Sequence, residues 1–305
     1  MNYKPLAIRL ITLMLLFICF FFTTDLNAQT GFIGNRKLDS MRLHYLNEQY
    51  IQSWIRSDTI TYNHLLWDKN FVHLSASKGR LIPRVELAPI FGEKRFAAIK
   101  LFYADSVEIR FISDSIAFVY AVTPYADFDA ETISYSRYND VYLKSGEGWK
   151  CIAANTANIA LDNYILPEIA SVPVLLKPAI ATYQNQYEEE SNVMKLNRKW
   201  VNAFALNDIA LMKNDTSAET WISYPDGSLH KGGLTIFKSL QTIKYKHDII
   251  NEVVFFPRKD FAVSWSVIKL TKANARISAL QLCNYYFYEQ GQWKLVSFNA
   301  VAIQD

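Results

Sequence analysis

The chain has 305 residues, half of them apolar and a fifth charged, which excludes a disordered polymer and gives length for about two domains. Its formal charge is only +3 and the cations form no stripe, which argues against nucleic acid as a partner. Aromatic residues reach 14%, a content that favours strands and suits the walls of an apolar pocket.

The first 28 residues have the layout of a secretory signal peptide. Lys4 and Arg9 open it, an apolar run from Leu10 to Phe22 is broken only by Thr12, and Ala28 offers a small residue before the cut. Leu26 is large for a position two residues before such a cut. Read as an anchor, the run is short for a bilayer. The expectation is export to a periplasmic or extracellular compartment, with no membrane association once the signal is gone. Cys19 lacks the small residues that precede a lipidated cysteine. Cys151 and Cys283 fall in expected strands of different halves and read as two buried thiols. No spacing of Cys or His suggests a metal, and no glycine-rich turn suggests a nucleotide cofactor, so none is expected.

An internal repeat organises the remainder. Leu46-Asn47-Glu48-Gln49-Tyr50 recurs as Leu196-Asn197-Arg198-Lys199-Trp200, and Trp54 and Asp58 recur as Phe204 and Asp208. His73-Leu74-Ser75 is matched with Trp221-Ile222-Ser223, and Trp149-Lys150 with Asn155 is matched with Trp293-Lys294 with Asn299. The expected organisation is a domain over residues 36–160, a linker over 161–186 holding Pro167, Pro173 and Pro178, and a second domain over 187–305.

Each copy opens with a helix. Leu43, Leu46, Tyr50 and Trp54 fall at helical spacing, as do Val193, Leu196, Trp200 and Phe204. Asp58 and Asp208 are placed to cap a second short helix, and a third is expected around Ile90–Ile99 and Leu234–Leu240. The Glu188-Glu189-Glu190 run suits a helix start, where acids meet the positive dipole end. Strands fill the rest: Phe261, Val263, Trp265 and Val267 alternate with small residues, and Ile116–Val122 is apolar on both faces.

Helices followed by strands, closing on Gly148-Trp149-Lys150 in one copy and Gln292-Trp293-Lys294 in the other, resemble the NTF2-like superfamily, in its SnoaL-like and DUF4440-type branches. The resemblance covers about residues 38–160 and 188–303. It implies an α+β fold of two tandem cones, each with N-terminal helices packed on a curved, mostly antiparallel sheet around an apolar pocket. It also implies pairing of such domains, as a homodimer or as an intramolecular pseudo-dimer of the two copies. Members of the family include isomerases, cyclases and dehydratases, and also binding or assembly modules without chemistry, so fold does not set function.

Carried over residue by residue, the isomerase tyrosine falls on Tyr50 and on Trp200, and its general base falls on Ser75 and Ser223. A serine cannot remove a proton from carbon without a base of its own. The strand-end position where many members carry histidine reads Asn155 and Asn299. Candidate pocket residues are therefore Tyr50, Trp54, His73, Ser75 and Asn155 in the first copy, and Trp200, Phe204, Trp221, Ser223 and Asn299 in the second. Tyr50 and His73 are the weak catalytic candidates. The aromatic residues also read as plain core, and a histidine at position 73 more often faces solvent on the other side of the strand. The reading is an exported, non-enzymatic module that binds an apolar small molecule. The alternatives are an isomerase, cyclase or dehydratase acting in the first copy, and a structural protein whose sheets pair. Copy one, with a hydroxyl at Tyr50 and an imidazole at His73, is the expected pocket; Trp200 and Trp221 are expected to fill the other.

Overall fold

The computed structural model describes residues 36–75, 80–93, 99–159, 165–172, 187–206, 214–232, 246–271 and 276–304. The expected signal segment, the Asp208 cap, the helix over Leu234–Leu240 and most of the 161–186 linker lie outside them. The chain divides into two units, Met1–Tyr45 and Leu46–Asp305. In the first, residues 36–45 are helical and the Arg42 guanidinium sits 5.0 Å above the Tyr45 ring.

The second unit takes up this helix (α1, residues 36–56) from Leu46 and carries both sheets. After α1, Asp58 accepts from the Thr61 amide at 3.0 Å and caps α2 (Thr59–Thr61). That helix is a single turn, continued by a π-helical turn over Tyr62–Leu66. The third helix, α3 (Arg84–Gly92), starts earlier than the spacing suggested. Pro83 holds extended backbone at ψ 158°, and the chain turns helical directly after it.

The first sheet has seven strands: β1 (Trp67–Ser75), β2 (Arg80–Pro83), β3 (Ile99–Phe102), β4 (Asp105–Ser113), β5 (Ile116–Asp127), β6 (Ser134–Ser145) and β7 (Gly148–Asn158). Their order is β2-β1-β7-β6-β5, with β3 and β4 both pairing β5. After α4 (Tyr187–Leu206) comes the second sheet: β8 (Thr216–Ser223), β9 (Leu229–His230), β10 (Lys246–Arg258), β11 (Phe261–Thr271), β12 (Ile277–Glu289) and β13 (Gln292–Ala302). Its order is β9-β8-β13-β12-β11-β10. Both sheets are antiparallel except at one matched place, where β1 runs parallel to β7 and β8 parallel to β13. The architecture is mixed α+β with two sheets.

The sheets pack face to face. Phe118 and Tyr120 of β5 meet Tyr285 of β12, Phe261 of β11 and Trp221 of β8; the Phe118 and Tyr285 centroids are 5.2 Å apart. Of these, Phe118, Tyr120, Phe261 and Tyr285 are buried, and each contributes about 1.5–3 kcal/mol through burial. Polar ties fix the register of this face. Arg110 donates to the Val296 carbonyl at 2.7 Å, the Tyr120 and Ser297 hydroxyls pair at 3.0 Å, and Asn139 donates to Asn299 at 3.2 Å. At its rim, the Arg137 guanidinium donates to the Gly227 carbonyl at 2.7 Å.

The outer face of the second sheet is closed by α4, whose Val193, Trp200, Val201 and Phe204 join Leu282, Tyr286 and Phe298 in one core. Both faces of β11 are therefore buried, and Ser264 and Ser266 lie in the interior although the sequence read as polar there. Glu189 in the first turn of α4 accepts the Trp293 indole N–H at 2.6 Å. In the linker, Ile165 is exposed, while Leu166 and Ile169 pack; Ile169 donates its amide to the Ile277 carbonyl at 2.9 Å. Cys151 and Cys283 are buried free thiols. Among the described residues no helix is long and apolar enough to cross a membrane.

Candidate functional site

The outer face of the first sheet is not filled as the second is. A cavity of about 500 Å³ lies against it, lined by Tyr50 and Trp54 of α1, His73 of β1, Phe91 of α3, Phe102 of β3, and residues of β5, β6 and β7. Its volume is within the usual range for small-molecule sites. Strand alternation selects the lining. On β6, Tyr138 and Asp140 face the cavity while Asn139 and Val141 face the other sheet; on β7, Ala154 and Thr156 face it.

One wall is an aromatic cluster. The Trp54 ring centroid lies 4.2 Å from that of Phe102 and 6.1 Å from that of Tyr125. Tyr50 also meets the Tyr62 ring edge-on at 5.0 Å, and Tyr62 stacks on Trp67 and Trp67 on Phe71, each at 4.6 Å. The Tyr62 hydroxyl donates to the Tyr50 carbonyl at 2.9 Å, tying the π-helical turn to α1.

Polar groups punctuate these walls. Tyr138 donates to Asn47 of α1 at 2.5 Å, and the Thr123 and Ser136 hydroxyls pair at 2.6 Å. His73 has no partner on Nδ1, and burial pulls its pKa down to about 4, so the ring is neutral at ordinary pH. Asp140 is 2% exposed, and no group among the described residues donates to its carboxyl. Desolvation alone raises its pKa well above the usual carboxylate value. Burial and the Asp140 charge also raise the Tyr50 and Tyr138 hydroxyls far above their ordinary range.

Tyr50, Trp54 and His73 are thus brought together. The Ser75 backbone ends β1, and its side chain lies outside those described. Asn155 points away from the cavity: its neighbours Ala154 and Thr156 line it, and Asn155 itself is buried opposite Asn139 and Leu74 on the face toward the second sheet. Asn299 lies on that same inter-sheet face, donating to the Cys283 carbonyl at 3.1 Å. Trp221 stands between the sheets, 4.3 Å from the Tyr120 ring with Arg110 and Lys231 over its faces. Ser223 alternates with Ile222, which belongs to the α4 core, and is also turned from that core. Trp200 and Phe204 do lie under α4, both packed on Phe298 at 5.2 and 4.6 Å.

The expected match of His73 with Trp221 is one residue out. Asn155 pairs with Leu74 and Asn299 with Ser223, so by register His73 corresponds to Ile222 and Val72 to Trp221. The same register matches Asp140, opposite Ala154, with Asn284, opposite Phe298. Asp140 escaped the sequence reading altogether. The one signal for it was an acid at mid-strand, between Asn139 and Val141, where a half-buried strand ordinarily carries an apolar or neutral residue. Among the described residues no cluster of His, Cys, Asp and Glu could hold a metal ion.

No family model matches the chain, and no curated protein matches it in sequence. Solved structures similar to part of it include NTF2-like proteins and a kinase association domain. An NTF2-like protein of unknown function from Pseudomonas putida is 15% identical with a TM-score of 0.34, covering 39% of this chain and 89% of that one. An NTF2-like protein from Cytophaga hutchinsonii is 13% identical with a TM-score of 0.34, covering 39% and 98%. The association domain of C. elegans CaMKII is 15% identical with a TM-score of 0.32, covering 38% and 99%.

Proposed function

We propose that this protein is an exported small-molecule-binding module whose site is the cavity on the outer face of the first sheet. In this reading residues 36–160 and 187–305 are two copies of one unit, of which the first binds and the second serves mainly as structure. The observation that carries it is the contrast at one register position. Ala154 leaves room beside Asp140, whereas Phe298 fills the matching place beside Asn284 and packs on Trp200 and Phe204. Of the changes between the sheets, Tyr50 to Trp200, His73 to Ile222 and Ala154 to Phe298 add apolar bulk or remove a polar group on the second side, as a core requires and a binding site does not.

Binding is favoured over catalysis because no hydrogen bond joins His73 to an acid among the described residues, so nothing orients that ring as a general base. Native mass spectrometry of the protein purified from its own host tests the reading. A co-purified small molecule of constant mass supports it; loss of that molecule as a modified product on turnover would move the protein to the enzymes. For export, the mature N-terminus is expected at or near Gln29, and a mature chain retaining Leu10–Phe22 would contradict it.

A further inference from the structure

Resting on that reading of the cavity, its chemistry says what kind of molecule fits. The Asp140 carboxyl faces the cavity with no donor among the described residues. The titratable groups that feel its charge are Tyr50 of α1, Tyr62 of the π-helical turn, Tyr138 and Tyr142 of β6 and Cys151 of β7. His73 of β1 stands on the same wall as a neutral ring. None of these supplies a positive charge at neutral pH. Among the described residues lining the cavity there is no Lys or Arg.

Other lining groups point the same way. The Tyr138 proton is committed to Asn47, which leaves its oxygen as an acceptor, and Thr123 and Ser136 satisfy one another. The Tyr50, Trp54, Phe102 and Tyr125 rings line the same cavity, and aromatic rings attract cations. Tyr50 and His73 can each donate one proton to a neutral ligand, but neither brings a positive charge to Asp140. An ammonium group brings several N–H donors and the missing charge together.

We propose that the ligand of this cavity is a small aromatic amine in its protonated form, paired with the Asp140 carboxylate and stacked within the Trp54–Phe102–Tyr125 wall. Burial favours the protonated Asp140 carboxyl and a bound cation favours its carboxylate, so binding shifts the acid toward ionisation and releases protons to solvent. The O–H bond of the acid breaks, the carboxylate pairs with the ammonium, and the proton passes to the buffer.

Isothermal titration calorimetry of the full chain at pH 8 tests this with three probes of one size: 2-phenylethylammonium, 2-phenylethanol and phenylacetone. The expected result is an ammonium at least about tenfold tighter than either neutral probe. Its enthalpy should change with the ionisation enthalpy of the buffer, reporting proton release. Asp140→Asn is expected to remove the ammonium preference and the proton release. Asn284 stands at the matching position of the second sheet, and circular dichroism checks that the variant keeps its fold. Neutral probes that bind as tightly as the cation, or an Asp140→Asn protein that binds the cation as before, would overturn the inference while leaving a neutral-ligand pocket. Failure of all three probes would overturn it too, and the native mass spectrum then decides separately whether the cavity binds anything.

Discussion

Asp140 and Asn284 occupy one place in two sheets, Asp140 across from Ala154 and Asn284 across from Phe298. Asn284 donates its amide to Asn197 of α4 at 2.7 Å, and Tyr286 donates to the same oxygen at 3.0 Å. In the first sheet the matching Asn47 is taken by Tyr138, and the acid is left facing a cavity. One side has spent its polar groups on holding helix to sheet. The other keeps one available.

The two unusual ionisable groups of the cavity predict opposing slopes of stability with pH. Burial raises Asp140, so the native state keeps a proton that the unfolded chain loses above the ordinary carboxylate pKa of 3.8; its contribution is full in acid and falls as pH rises. Burial depresses His73 from 6.5 to about 4, so between those values the unfolded chain binds the extra proton; its contribution is full above 6.5 and falls as pH drops. Each slope is about 1.4 kcal/mol per pH unit where one state alone is protonated, and the two oppose one another. Urea denaturation at several pH values from 4.5 to 6 should show Asp140→Asn gaining stability with pH more steeply than wild type. His73→Gln should lose it with pH relative to wild type. Parallel curves for all three proteins would show that neither group is buried as described.

Phe298→Ala should open a void beneath α4. Phe298 is fully buried between Trp200 and Phe204, and removing a large buried aromatic costs about 3–5 kcal/mol. Chemical denaturation measures the loss. A cost below about 1 kcal/mol would mean that this core collapses around the void or is not closed.

Gly227 ties the second half to the first. Its φ is +79°, and a Cβ there would come within 2.7 Å of the Ile159 backbone, at the end of β7. Asp226 shapes the turn by accepting from the Ser228 amide at 2.9 Å. Gly227→Ala should therefore destabilise by more than the ordinary cost of about 1 kcal/mol for an L-residue at positive φ, with earlier proteolysis in the turn. Wild-type stability in this variant would contradict the contact.

Much of this fold could be read in the residues. The Leu46-Asn47 and Leu196-Asn197 echo marks two helices whose asparagines both take bonds from tyrosines of the sheet, Tyr138 and Tyr286, and Asp58 caps as its position before Thr61 suggested. The strand-borne site residues were harder. His73-Leu74-Ser75 and Trp221-Ile222-Ser223 look alike because both end in serine, yet their true register differs by one, and a slip of one in a strand moves every side chain to the opposite face. That is why Trp221 and Ser223 came out on the wrong side. Asn155 and Asn299 stand at the strand-end position where the resemblance puts a pocket histidine, but polar groups also pin two sheets together, as Asn139 and Asn299 do here. Asp140 was hidden by the opposite habit: an acid in a strand reads as solvent-facing, and its burial depends on helices and on strand β5, which are remote in sequence.

Whether the cavity beside Asp140 holds a ligand is tested by Ala154→Phe. The change places in the first sheet the side chain that the second sheet already carries at the matching position, Phe298. Native mass spectra of wild type and variant, purified in parallel from the same host, are compared for bound small molecules, with circular dichroism to show that both are folded. The expected result is an adduct on wild type that is absent from Ala154→Phe. An adduct of the same mass and occupancy on both proteins, or none on wild type, would contradict it.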